Sequence, residues 1–199
     1  MLKSFMNKSK VVNTLKLAKQ YALDCEYRKA LEIYANETLF SKPLVEMDAE
    51  EAEHFLLCGH AFQQFYSQYH ENLEGYVAQI NKFNENQKQQ VLPEKCEDPT
   101  TYLIKAITCY ENCIKILCGF EFNSSESKQM VVLSFFKIFE CKREAKQEWQ
   151  GEALELVQFV ADKKINVSKY EFGKVLKQLT LEALNKTENE AQSAEVEKW

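Results

Sequence analysis

Apolar residues recur along much of this chain at three- and four-residue spacing, the mark of helices that bury one face. Val11, Leu15, Ala18 and Ala22 form one such stripe, widened by Leu17 and Tyr21, and predict an amphipathic helix over Val11 to Asp24. A short break at Asp24-Cys25-Glu26 leads into Tyr27, Ala30, Leu31 and Tyr34, again at helical spacing. This second helix should fade near Ser41-Lys42-Pro43, because proline cannot continue a helix. Two helices so closely joined predict an antiparallel hairpin.

The acidic run Glu46, Asp48, Glu50, Glu51 and Glu53 suits the positive end of a third helix, with Asp48 as its cap. Phe55, Cys58, Phe62 and Phe65 form its stripe, and Gly59 stands inside it, where a close helix approach would justify a residue that costs about 1 kcal/mol against alanine. From His70 to Asp98 the pattern weakens into Asn, Gln, Glu and Lys with scattered Tyr76, Val77, Ile80 and Phe83. This polar insertion, about 70–98, reads as a solvated helical arm that breaks at Leu92-Pro93.

Asp98-Pro99-Thr100 resembles a cap with proline at the first helical position. Leu103, Ala106, Ile107, Tyr110, Ile114 and Leu117 then define a strongly apolar helix that should stop at Gly119. Asn123-Ser124-Ser125 opens another helix, with Val131, Val132, Phe135, Phe136 and Phe139 on its face. Trp149, Ala153, Leu156, Val157 and Val160 mark its partner. A last helix, capped at or near Ser168, carries Tyr170, Phe172, Val175, Leu176, Leu179, Leu181 and Leu184. These patterns describe one all-α domain over residues 1–185, followed by a flexible acidic tail over 186–199.

Composition narrows the choice of fold. Average usage in a chain of 199 residues would give about 14 Gly and about 10 Pro, whereas this one has 5 and 3. A barrel, a sandwich or a Gly-rich phosphate loop needs more turn positions than that. Twenty-four aromatic residues (13 Phe, 9 Tyr and 2 Trp) supply material for a sizeable core and exclude wholesale disorder. A net charge of −5 removes the general electrostatic basis for nucleic-acid binding. The first ten residues lack the apolar core of a signal peptide, and no segment reaches the roughly 18 uninterrupted apolar residues of a membrane span. Seven cysteines without a disulfide-framework spacing read as reduced thiols, so a cytoplasmic or nuclear protein is expected, with no membrane attachment.

At Leu17-Ala18, Tyr21, Tyr27, Ala30 and Tyr34 the first hairpin resembles a tetratricopeptide repeat, in which a bulky-small pair and an aromatic on helix A are followed by aromatic, Ala and aromatic positions on helix B. Phe55, Cys58-Gly59 and Phe62 match a second helix A, and Leu103, Ala106, Ile107, Tyr110 and Cys113 its displaced helix B. The resemblance covers roughly Val11 to Phe65 and fades beyond. It implies stacked antiparallel hairpins, a tetratricopeptide-like α-solenoid of about three repeats plus a C-terminal helix, whose A-helix groove binds a partner's peptide or helix.

Aligned on Ala18 and Gly59, the groove positions are Val12, Leu15, Lys19 and Ala22, then Glu53, Leu56, His60 and Gln63. The Lys/Asn set with which some repeat proteins clamp the tails of heat-shock chaperones is missing. Histone chaperones with an interrupted repeat carry a long acidic insert, which this mildly acidic one does not match. Lys19, His60, Gln63 and Gln64 are the candidate polar contacts to a partner.

The remaining chemistry-bearing groups have plainer readings. Cys109 and Cys113 share a helical face with Cys118 nearby, a core arrangement of small apolar thiols before it is a redox pair, and no His stands near to complete a metal site. His54, His60 and His70 lack the four-residue spacing of a helical zinc pair. Glu50 and Glu53 read as helix-start charges, and the alternating Lys137, Glu140, Lys142, Arg143, Glu144 and Lys146 as a solvated face. No catalytic residues, metal or cofactor are expected. The chain reads as a non-enzymatic adaptor or scaffold. Alternatives are a structural subunit of a larger assembly, in which the polar arm and the Phe-rich helix pack on neighbours, or, further off, a membrane-trafficking adaptor or histone-chaperone-like binder.

Overall fold

A computed structural model describes residues 14–36, 43–87, 100–119, 124–185 and 190–199, with the backbone alone at 69–87, 185, 190 and 191. Val11 to Asn13, Ser41-Lys42, the expected break at Leu92-Pro93, the cap at Asp98-Pro99, Asn123 and residues 186–189 lie outside the described residues. Every regular element among the described residues is helical. The α-helices are α1 (14–23), α2 (Tyr27–Asn36), α3 (Ala49–Gln87), α4 (Thr100–Gly119), α5 (Ser125–Glu144), α6 (Gln150–Lys163), α7 (Gly173–Asn185) and α8 (Glu190–Val196). Short 3-10 turns occupy Leu44–Glu46 and Val167–Lys169.

Local sequence explains where several helices start. Asp48 Oδ1 accepts from the backbone N–H groups of Glu50 (2.9 Å) and Glu51 (3.0 Å), while Glu51 Oε2 accepts from the Asp48 N–H (2.7 Å). This reciprocal capping box satisfies donors that the first turn leaves without helical partners. Ser124 Oγ does the same for the Ser127 N–H at 3.0 Å and fixes the start of α5.

The helix stops follow a rule that the residue types conceal. Cys25, Lys146 and Lys164 have φ of 61°, 54° and 50°, the left-handed conformation usually reserved for glycine at the end of a helix. At each, the following N–H reaches back five residues in the manner of a Schellman motif: Glu26 to the Tyr21 carbonyl (2.8 Å), Gln147 to Lys142 (2.8 Å) and Ile165 to Val160 (3.0 Å). The terminal carbonyls are thus satisfied without glycine, which is one reason the chain can be so poor in it.

The chain divides into two compact units, one of Met1–Glu37 with Leu57–Ala106 and the other of Thr38–Leu56 with Ile107–Trp199. Both α3 and α4 contribute residues to each. At 39 residues α3 is about 58 Å long, and it carries the polar sequence as far as Gln87 as helix. In the first unit the small positions Ala18, Ala30, Cys58 and Ala61 are fully buried, together with Tyr34, Leu103 and Ala106.

In the second unit α5 packs on α6, α6 on α7, and α8 on both α6 and α7. Val131, Val132, Phe135 and Phe139 of α5, Ala153, Leu156 and Val160 of α6, and Leu176, Leu179 and Leu184 of α7 are buried. Burying each large side chain contributes about 1.5–3 kcal/mol before conformational entropy is counted. Polar links fix the register: Trp149 Nε1 donates to the Leu179 carbonyl at 3.4 Å, and the half-buried pair Lys142–Glu152 joins α5 to α6.

Two expectations are corrected in this unit. Ser168 does not cap the last helix, because Val167–Lys169 is a 3-10 turn and α7 begins only at Gly173. Tyr170 and Phe172 precede the helix instead, and their rings stack with that of Phe136, Tyr170 on Phe172 at 5.4 Å and Phe172 on Phe136 at 5.0 Å. Gly173 permits that path: a Cβ there would lie 2.2 Å from the Val167 carbonyl oxygen. The second correction concerns the expected mobile tail, part of which forms α8. Val196 is fully buried, and Lys177 Nζ donates to the Glu197 carbonyl at 2.7 Å, which together hold the segment on α7.

Candidate functional site

The four candidate partner-binding residues all belong to the first unit, Lys19 on α1 and His60, Gln63 and Gln64 on α3. Lys19, His60 and Gln64 are half-exposed. Gln63 is buried, so its side chain belongs to the interior rather than to an open face. Among the expected groove positions Leu15 and Ala22 are also buried. Val12 lies outside the described residues. The accessible part of the sequence-predicted set therefore reduces to a cation, an imidazole and an amide.

The His60 ring is placed by Tyr27, which it meets edge to face with ring centroids 5.7 Å apart. This contact joins the start of α2 to the part of α3 that belongs to the first unit, and it limits the rotamers open to the imidazole. Tyr27 is itself fixed. Its hydroxyl shares a hydrogen bond with the Cys25 thiol, and that bond, with burial, pushes its pKa up to about 12. The ring next to His60 is accordingly a neutral phenol at physiological pH.

Further along the same helix, Phe62 and Phe65 meet residues from the first turns of α4. Phe65 and Tyr102 form an edge-to-face pair at 5.1 Å, and Lys105 Nζ lies 5.8 Å from the Phe62 ring and 5.6 Å from the Tyr102 ring. An ammonium near two aromatic faces gains cation–π attraction of about 0.5–1 kcal/mol at a partly exposed position. Sequence reasoning placed Phe62 and Phe65 in the apolar stripe and overlooked Tyr102 and Lys105. Their three-residue spacing on α4 is the available signal, but only the packing of α4 near Phe62 gives it meaning. Two separate contacts are thus fixed in the first unit, His60 against Tyr27 and the aromatic pair Phe65–Tyr102 with Lys105 beside it.

The cysteines behave as core residues in part. Cys109 and Cys113 are buried and Cys118 is exposed, and all the described cysteines are free thiols. Burial pushes the Cys113 and Cys141 thiols up to about 12, which removes the thiolate needed for metal binding or nucleophilic attack near neutral pH. No group of three or more His, Cys, Asp or Glu among the described residues is placed to hold a metal ion. Among these residues, too, no helix is long and apolar enough to cross a membrane.

No protein-family model, curated protein or solved structure matches the chain. The functional reading rests on its own residues.

Proposed function

We propose that the protein is a non-enzymatic adaptor of tetratricopeptide-like construction, which holds a peptide or helix of a protein partner on the first unit through Lys19, His60 and Gln64, with Gln63 supporting from beneath. The observation that carries this reading is the edge-to-face contact of His60 with Tyr27, beside fully buried Ala18, Ala30 and Cys58. Lys19 and His60 follow the buried Ala18 and Cys58 by one and two positions and are half-exposed, which keeps them within reach of a partner. Affinity purification of tagged protein with quantitative mass spectrometry tests it. Lys19→Glu and His60→Ala, each with unchanged helical circular dichroism, should deplete the same specific partners by at least about fivefold, as expected for loss of a contact worth about 1 kcal/mol. Unchanged recovery with both variants would remove the assignment.

A second reading, a structural subunit of a larger assembly, draws support from Leu17, Leu23 and Ile104, which are 46 %, 60 % and 50 % exposed in the first unit. Light scattering with mass determination separates it from the first: a concentration-independent monomer, purified without co-eluting subunits, counts against obligate assembly.

A further inference from the structure

The second unit carries a groove that the adaptor reading does not use. It runs between the first turns of α3 and the N-terminal half of α5 and encloses about 430 Å³. Ala49, Met130 and Leu133 provide apolar walls, Gln129 an amide, and Glu50, Glu53 and Glu126 carboxylates, and among the described residues no lysine or arginine lines it. The helical spacing of Glu126, Met130 and Leu133 sets charge at one end of the α5 face and apolar surface at the other. Glu50 and Glu126 have a structural reason to stand there, since they occupy the first turns of their helices, where the macrodipole favours negative charge. The outcome is nevertheless a concave, partly apolar surface on which the charged groups of the described residues are all negative. Val45, 81 % exposed, lies in the 3-10 turn that leads into α3 and adds apolar surface to the same segment of the chain.

We propose that this groove docks a basic amphipathic segment of a protein partner, with an aliphatic or thioether side chain between Met130 and Leu133 and lysine or arginine side chains against the exposed carboxylates of Glu50 and Glu126. Charge complementarity selects this occupant. A second copy of the chain would set the same carboxylates against one another, and an acidic nucleic-acid or phospholipid surface would be repelled by them. The volume is of the size that accepts a few side chains, and Met130 is a flexible lining residue suited to anchors of differing shape. The site is separate from Lys19 and His60, so either proposal can fail without the other.

The test uses the full chain and a fluorescein-labelled synthetic peptide with leucine at helical i, i+3, i+4 and i+7 positions and lysine elsewhere, read by fluorescence anisotropy. Saturable binding is expected, weakening as salt is raised from about 0.05 to about 0.5 M because exposed charges are screened. Glu50→Lys combined with Glu126→Lys should weaken it by at least about tenfold, through lost attraction and added repulsion. Glu50→Gln with Glu126→Gln, which does not oppose the helix dipoles with new cations, should fall between this variant and the natural protein. Glu148→Lys with Glu171→Lys makes the same change in net charge at exposed positions outside the groove and should alter binding by less than about twofold. A peptide with serine in place of leucine should bind at least about tenfold more weakly, reporting the apolar walls. The proposal is overturned if the leucine peptide shows no saturable binding, if the control pair costs as much as the groove pair, or if the serine peptide binds equally well.

Discussion

The left-handed helix stop at Lys146 offers a direct test of how the chain ends its helices. Lys146 is exposed, its φ is 54°, and its N–H donates to the Arg143 carbonyl at 3.1 Å while Gln147 N–H donates to Lys142 at 2.8 Å. A side chain bearing a Cβ costs roughly 1–2 kcal/mol in this conformation, and glycine escapes that cost while losing about 0.5–1 kcal/mol more chain entropy on folding. Lys146→Gly should therefore stabilise the fold by about 0.5–1 kcal/mol, less whatever the lysine charge contributes beside the helix C-terminus, about 0.3–1 kcal/mol. Lys146→Ala removes the same charge but keeps the Cβ, so the comparison of Gly with Ala isolates the backbone contribution. Urea unfolding followed by circular dichroism should put the glycine variant about 1 kcal/mol above the alanine variant, with the denaturant slope unchanged. In a chain of this size that corresponds to roughly 2–4 °C in Tm. A glycine variant no more stable than the alanine variant would refute the left-handed stop and with it the account of the chain's low glycine content.

Gly173→Ala should act in the opposite direction, since the new methyl would meet the Val167 carbonyl oxygen at 2.2 Å and neighbouring backbone, which cannot swing aside as a side chain can. A loss of about 1–3 kcal/mol in the same urea assay is expected, and a neutral outcome would show that the turn at Val167–Lys169 is not pressed against α7. The thiols offer a pH test. Cys113 and Cys141 have folded pKa values pushed up by burial from 9.0 to about 12, so the folded state retains protons that the unfolded chain releases. Their contribution to stability is complete below about pH 9 and declines as pH rises toward 12, by on the order of 1 kcal/mol per pH unit per thiol. Cys113→Ala should flatten that decline, and iodoacetamide at pH 8 should alkylate Cys25 before Cys113 or Cys141 in a time course read by mass spectrometry; equal labelling rates would contradict the burial.

The candidate site was legible in the sequence only in outline. The repeat spacing singled out Lys19, His60, Gln63 and Gln64, but it did not fix which of two neighbouring positions, about 100° apart around the helix, would face outward, and Gln63 is buried while Gln64 is half-exposed. Nor could it show that Tyr27 would position His60, because that contact joins residues 33 positions apart and depends on how two helices approach. Glu50 read correctly as a helix-start charge, Glu126 carried no reading of its own, and only the proximity of the first turns of α3 to α5 turns the two into the rim of one groove.

The sequence by itself determined that the protein is helical and where most helices lie. Apolar periodicity is a property of each segment, and Asp48 and Ser124 cap by bonds to residues two or three positions away, so both signals are local. Tertiary structure decided what local rules leave open. Cys25, Lys146 and Lys164 accept a left-handed backbone because the helices that they end are held by packing worth more than the local cost. Tyr170 and Phe172, which fit a helical stripe on paper, leave the helix, Phe172 to stack on Phe136 and Tyr170 on Phe172, and the polar C-terminal segment folds because α8 packs on α6 and α7 with Val196 buried. Each of these outcomes depends on surface supplied by residues distant in the chain, and no periodicity within one segment encodes that surface.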